Sequence, residues 1–376
     1  MKVKFKVLAI ILGAFFILVP NSVSEAVNTA DIDRVRNKGV LGSEDLRIID
    51  DFVAEAVSEL VQAKDFTSVA RVRSVILSRS SSSKESAESQ YAAQFSESVY
   101  KYLSSGLAEA LNLTGDDLRA MVVVNLLILA DSLENVRLAE LAVGLLSDEN
   151  TLIRYWAVHC VTNPAIIKQL NSEKAANSAL ASKIAEQLKG LVDKSSPEEI
   201  ALMAEFAGGV DIPQGEDLLL QIADMRMSRY KDWTVEYELL DATILKLLYN
   251  KMSSTESDSS GLARRFGQLY SYAIQRYVKG RDYLFASEKQ QTASVLVEIE
   301  QSCVGRILGM PQSVIRKAVE QDNYPALLQE HSRLLGDETR AGQLGLKLNF
   351  DYGSDSDGNK RIAPLALPEP PKLEEY

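Results

Sequence analysis

The residues most suggestive of acid–base chemistry are Glu236, Glu238 and Asp241, which lie beside Trp233 and Tyr237. Paired carboxylates near aromatic rings are the apparatus of glycoside cleavage: one acid protonates the leaving oxygen, the other acts on the opposite face, and the sugar stacks on a ring. The chain carries 52 acidic residues and only two tryptophans, so acids fall near rings without any functional cause. A carbohydrate-active hydrolase or lyase on a helical toroid is therefore the enzyme alternative, and no catalytic residue is assigned.

Metal and nucleophile chemistry have less to stand on. The two histidines, His159 and His331, have no second ligand at helical or CxxC spacing, and His159 and Cys160 are adjacent, about 100° apart on a helix, so they do not converge. No Gly-x-Ser-x-Gly elbow marks a nucleophile. Gly353-Ser354-Asp355-Ser356-Asp357-Gly358 resembles a fragment of a calcium loop, but Gly353 would stand at the first ligand position and Pro364 at the twelfth, where a bidentate acid is needed. The expectation is a solvated turn, with no metal and no cofactor.

Seven of the fourteen tyrosines fall between residues 230 and 283, accompanied by several arginines in an otherwise acidic chain. Tyr and Arg are enriched at binding hot spots, so Tyr270, Tyr272, Arg276, Tyr277 and Arg281 form a candidate partner surface. The alternative is tyrosines that span helix interfaces with their hydroxyls in water. Cys160 and Cys303 could close a long loop, worth about 4–5 kcal/mol in the chain-entropy model, or lie apart as buried thiols.

Helical periodicity organises the elements that must hold these residues. Ser43 is the expected cap of a helix whose apolar face is Ile49, Phe52, Val53, Ala56, Val57 and Leu60, and Thr114 the expected cap of the next long apolar helix. Asn112-Leu113-Thr114 also matches a glycosylation acceptor. Asn163-Pro164 and the capping box Ser196-Pro197-Glu198-Glu199 open further helices, and Gly208-Gly209 ends one. Caps and breakers predict about 12 to 14 helices joined by short turns. Leu346, Leu348 and Phe350 alternate as in a strand, and Ile362 to Leu367 could return beside them before a Pro-rich end.

Within this pattern, residues 136–161 resemble one HEAT-type repeat. An apolar helix ends in Leu145-Leu146, a turn carries Asp148 and Asn150, and Ile153, Arg154, Ala157 and Val158 open a second helix. The resemblance implies an all-α, irregular α-solenoid of stacked antiparallel helix pairs, with a non-helical, hairpin-like C-terminal tail. Small Ala157 would let helices approach, Asp148 would cap the turn, and Arg154 would reach a neighbouring turn's carboxylate. The concave face of such a stack is the expected binding surface. The expected organisation is a signal peptide over 1–26, an extended segment over 27–42, a repeat-like helical domain over 43–252, a helical subdomain over 258–342 and a tail over 343–376, with Ser253 to Gly261 as the internal linker.

Composition sets the compartment and the partners. Lys2, Lys4 and Lys6 precede an apolar run from Val7 to Pro20, and Ser24-Glu25-Ala26 supplies small residues for cleavage, the layout of a secretory signal. The run is shorter than the roughly 20 residues needed to span a bilayer. The chain is thus expected to be exported, to the periplasm or exterior of a bacterium, with no transmembrane segment after cleavage. Removing residues 1–26 takes away three Lys and one Glu and leaves 38 basic against 51 acidic side chains, a net −13. Such a field repels phosphate backbones, so nucleic acid is excluded as a partner and a protein of unknown identity is expected. The function expected is a protein-binding scaffold of the cell envelope without catalysis.

Overall fold

The computed structural model describes residues 27–84, 88–254, 259–354 and 357–372. The secretory-signal reading of residues 1–26 lies outside them, as do Asp355 and Ser356 of the calcium-loop fragment.

The first half of the chain runs through α1 (Ala30–Arg36), α2 (Ser43–Gln62), α3 (Phe66–Leu77), α4 (Glu88–Ala110), α5 (Asp116–Ser132), α6 (Val136–Val143), α7 (Thr151–Thr162), α8 (Pro164–Ser172) and α9 (Lys174–Lys189). It continues through α10 (Pro197–Gly209), α11 (Pro213–Lys231), α12 (Leu239–Ser254), α13 (Ser260–Lys279), α14 (Ala286–Ile299), α15 (Gly305–Leu308), α16 (Val314–Glu320) and α17 (Tyr324–Leu335). Two-residue strands β1 (Gly336–Asp337) and β2 (Arg340–Ala341) pair antiparallel before α18 (Gln343–Leu348). The protein is all-α with a non-helical tail.

Two helix layers follow from which helices touch. One stacks α2, α4, α6, α9, α11, α13 and α17; the other stacks α3, α5, α7, α10, α12, α14 and α16. Successive helices cross between layers, as in α2 with α3, α6 with α7, α10 with α11 and α12 with α13. Each helix therefore buries its apolar stripe against neighbours close in sequence, which is the economy of a solenoid. Helices of 7 to 23 residues make the stack irregular. One apolar core runs from Val27 to Leu367, and α12 packs directly on α13 across the Ser253 to Gly261 stretch.

In residues 136–161 the turn residues make specific contacts. Asn150 caps α7 by accepting the amides of Leu152 (3.0 Å) and Ile153 (3.3 Å), and Asp148 accepts Nη2 of Arg119 at 2.6 Å. Arg154 lies over the turn, donating to the Asp148 carbonyl (3.2 Å), with its Nε 3.4 Å from Glu199 at the start of α10. Guanidinium-to-turn contacts thus link α5, α7 and α10 in series, and Ala157 is fully buried between them. The Ser196 and Glu199 capping box forms as expected.

Several expectations need correction. Residues 27–42 are not wholly extended: α1 forms because Ile32 and Val35 share a buried face and Asn28 Oδ1 accepts the Ala30 amide at 3.0 Å. Ser43 does not cap α2; the Asp45 carboxylate, held down in pKa chiefly by Lys38, accepts the Gly42 amide at 3.0 Å instead. Thr114 makes no cap bond, because Gly115 at φ +98° stands at that position. Leu346 and Leu348 belong to helix α18, and Ile362 to Leu367 form no strand. The chain nonetheless doubles back to bring Tyr352 beside Arg361, where Tyr352 N donates to Arg361 O (2.9 Å) and Arg361 N to Gly353 O (2.8 Å).

Close approach of α2 and α4 depends on Gly106, where an added Cβ would stand 2.9 Å from Val57 Cγ1 and 3.2 Å from Val61 Cγ2. Gly106→Val should destabilise the fold by about 1–3 kcal/mol through overpacking, read as a lower urea midpoint at unchanged slope. Asn150→Ala should cost about 1 kcal/mol by leaving the α7 amides uncapped.

Candidate binding site around α13

Helix α13 touches α11, α12, α14, α17 and α18, so almost every face of it is covered. This corrects the candidate partner surface: Tyr270, Tyr272, Arg276 and Tyr277 are buried, and of the five only Arg281 is exposed. The hydroxyls of Tyr270 and Tyr277 are spent internally, whereas the buried Tyr272 hydroxyl has no hydrogen-bond partner among the described residues. Tyr270 donates to Leu296 O at 2.9 Å, and Tyr277 donates to Asp322 Oδ1 at 3.2 Å while burial pushes its phenol up to about 12.

Two buried arginines organise the α11 end. Arg226 grips Asp241 with both Nε (2.7 Å) and Nη2 (3.0 Å) and donates Nη1 to Glu236 O (3.0 Å), while Tyr230 donates to Asp241 Oδ2 at 2.7 Å. Burial alone would lower the Arg226 pKa, but the Asp241 charge and hydrogen bonds outweigh it and the net shift is upward. Arg276 donates to Glu238 Oε1 at 3.0 Å, lies 3.9 Å from Glu288, and stacks within 5.5 Å of the Trp233 ring. Burial raises the Glu238 carboxyl, with Arg276 opposing that shift. The three acids flagged for glycoside chemistry therefore separate: Glu236 is exposed, Glu238 is paired with Arg276, and Asp241 is locked between Arg226 and Tyr230.

The loop that carries these acids is wound tightly. After α11, Thr234 N returns to Arg229 O (2.9 Å) and Trp233 N to Tyr230 O (3.1 Å), a Schellman arrangement that puts Trp233 at φ +58° where glycine is usual. Tyr237 is also left-handed, at φ +55°. Such backbone costs about 1–3 kcal/mol per residue and is retained where the side chain is needed in that place. Trp233 packs edge-on against Tyr283 with ring centroids 5.4 Å apart and donates Nε1 to Pro368 O at 3.2 Å. Three segments thus converge at one end of α13: the 232–238 loop, the 280–285 turn and the tail. Tyr237 (57 % exposed), Leu239 (51 %) and Phe285 (76 %) lie on the segments whose Glu238 and Glu288 reach Arg276.

A second feature runs the length of α13. Arg264, Gln268, Ser271, Gln275 and Lys279 recur every three or four residues and form one polar stripe. Arg264 holds Asp351 through its carbonyl (2.8 Å) and carboxylate (3.1 Å). Gln268 pairs with both backbone groups of Leu365, accepting its amide at 2.8 Å and donating to its carbonyl at 3.2 Å. Gln275 donates to Leu365 O (3.1 Å) and accepts Leu367 N (2.7 Å); Lys279 donates to Leu367 O and reaches Glu369, both at 2.7 Å. The tail therefore lies parallel to α13 as a strap read through its main chain, with Leu367 as its one buried apolar anchor. Gly267 lets the start of the strap dock, since a Cβ there would stand 2.8 Å from Phe350.

Ser271, fully buried, faces His331 of α17: its Oγ lies 2.8 Å from His331 Nε2 and accepts Gln275 Nε2 at 2.8 Å. Burial depresses His331 to about 4, and the neutral ring serves the stripe as a packing and hydrogen-bonding partner. Cys160 and Cys303 are separate buried thiols, Cys160 contacting Leu127 O at 3.1 Å. Among the described residues no cluster of three or more His, Cys, Asp or Glu is placed to hold a metal, and no helix is long and apolar enough to cross a membrane.

Sequence reasoning found the Tyr and Arg segment but missed the stripe. The signal was present in Gln268, Ser271 and Gln275, polar residues at positions i, i+3 and i+7 of a helix whose other faces are apolar or aromatic. No family model, curated protein or solved structure matches this chain.

Removing one partner of a buried ion pair strands the other, so Asp241→Ala should cost about 3–5 kcal/mol, whereas Glu236→Gln at the exposed position should stay within about 0.5 kcal/mol. Urea unfolding of both variants checks this. His331 has a folded pKa below its unfolded value of 6.5, so its contribution is full above 6.5 and is lost as pH falls towards about 4. The midpoint should drop over that interval in the native protein, and His331→Gln should flatten the drop.

Proposed function

We propose that this chain is an exported binding module: a helical-repeat scaffold of a bacterial cell envelope, periplasmic or extracellular, that recognises another protein and performs no catalysis. The observation that carries the reading is that the segments reaching the buried Arg276 also carry exposed side chains: strained Trp233 lies 5.5 Å from its guanidinium, exposed Tyr237 and Leu239 flank its partner Glu238, and exposed Phe285 opens the turn that leads to Glu288. Aromatic anchors over a buried arginine are the makings of an interaction hot spot. The internal pairing of Glu238 with Arg276 and of Asp241 with Arg226 and Tyr230 supports binding over acid–base chemistry, since a general acid or base must be free to exchange its proton with substrate. The signal-like residues 1–26 support export, and the mature net charge of −13 favours a basic or neutral protein face over nucleic acid.

The test is affinity capture from envelope extract with the full chain and with Tyr237→Asp/Phe285→Asp. The double variant should retain its helical signal and melting temperature and lose at least tenfold of the specifically captured partner. A captured set identical for both proteins would remove Tyr237 and Phe285 from consideration. Export is checked by the N-terminus of the protein recovered outside the cytoplasm, expected at Val27; a chain that keeps residues 1–26 and stays inside contradicts it.

A further inference from the structure

The strap is held in an unusual way for a structural tail. Of residues 362–372 only Leu367 is buried; Leu365, Ala366, Pro368 and Glu369 are exposed. Almost all its polar contacts run from side chains of α13 and the 232–238 loop to the strap's own amides and carbonyls, groups that every peptide possesses. Only two features read side chains: the Leu367 socket and Lys279, which meets the Glu369 carboxylate two residues further on at 2.7 Å. Seven residues of helix separate Gln268 from Gln275, about 10.5 Å along the axis and close to the span of three extended residues, so the two side chains bracket Leu365 to Leu367.

We infer that the α13 groove is an exchangeable binding site for an extended peptide with a leucine, a following proline and a carboxylate two residues after the leucine, and that residues 361–369 are its resident occupant. A partner segment of this kind would take the place of the strap, pairing its main chain with Gln268 and Gln275, seating its leucine in the Leu367 socket and its acid on Lys279. The prolines at 364, 368, 370 and 371 limit the resident to extended conformations, which makes an extended proline-bordered competitor its closest mimic. The inference rests on the binding-module reading and names the partner's chemistry. A tethered occupant has a high effective concentration, so an untethered competitor must bind the vacated groove more tightly than the filled one.

The probe is a fluorescein-labelled synthetic peptide with the sequence of residues 361–372, followed by anisotropy against the full chain. The native protein should bind it weakly. Leu367→Asp, which removes the resident's anchor, should bind it at least tenfold more tightly, and adding Gln275→Ala should abolish the gain; the peptide carrying Asp in place of its second leucine should not bind. Unchanged binding by a folded Leu367→Asp protein overturns the inference. If that variant does not fold, a protease site placed between residues 357 and 360 of the full chain gives the second measurement: after cleavage the tail fragment should leave on gel filtration in excess labelled peptide and be replaced by it. A fragment that stays and admits no labelled peptide shows a permanent strap and equally overturns it. Peptide exchange without a partner captured from the envelope would sink the scaffold reading and leave the groove standing.

Discussion

Two guanidinium groups with no contact with water set the terms for the centre of this protein. Arg226 and Arg276 are among the largest fully buried side chains, and an ion moved out of water costs several kcal/mol unless its partners are in place. Asp241, Glu238 and the carbonyls of Glu236 and Val235 must therefore be delivered to fixed positions, and the left-handed turns at Trp233 and Tyr237 are how the 232–238 loop delivers them. Once α11, α12 and α13 are pinned to one another, the neighbouring helices on either side have a rigid surface to stack against. The ion pairs add little net stability over a well-packed apolar core. What they fix is register, because a displaced helix would strand a charge.

Much of the fold was legible because a solenoid buries apolar stripes locally. The face of α2, the Asn163 and Ser196 caps, and the turn at Asp148 and Asn150 all act within a few residues of where they are written. The failures lie where a long-range partner overrides a local pattern. Alternation of Leu346, Leu348 and Phe350 reads as a strand, yet α18 forms because Leu344 is buried while packing on α13 and α17 places the segment at the end of the stack. Ser43 and Thr114 look like caps, but Asp45 and Gly115 take those roles.

The candidate site shows the same division. A cluster of Tyr and Arg on a helix is written in the sequence; whether it faces a partner or a neighbouring helix is not. In α13 the answer comes from α17 and the tail, elements 45 or more residues downstream, which cover faces that would otherwise be open. The polar stripe carried the better signal. Gln268, Ser271 and Gln275 have no charge to keep them in water and no apolar surface to bury, so a helix that places them on one line needs a hydrogen-bonding counterpart for that line.

The energetics of that line explain why the strap is held without being fixed. Burying Leu367 is worth about 2 kcal/mol, and the six hydrogen bonds to residues 365–368 about 1 kcal/mol each, for a gain near 8 kcal/mol. Ordering four residues costs about 4–8 kcal/mol in backbone entropy. The remainder is a few kcal/mol at most, small beside the several helices that each core residue of α13 holds in place. Opening of the tail is thus a local event that leaves the two-layer stack intact, the property required of a segment that yields its place to a partner. A strap meant only to close the fold would gain by burying Leu365 and Ile362, whereas this one leaves both at its surface.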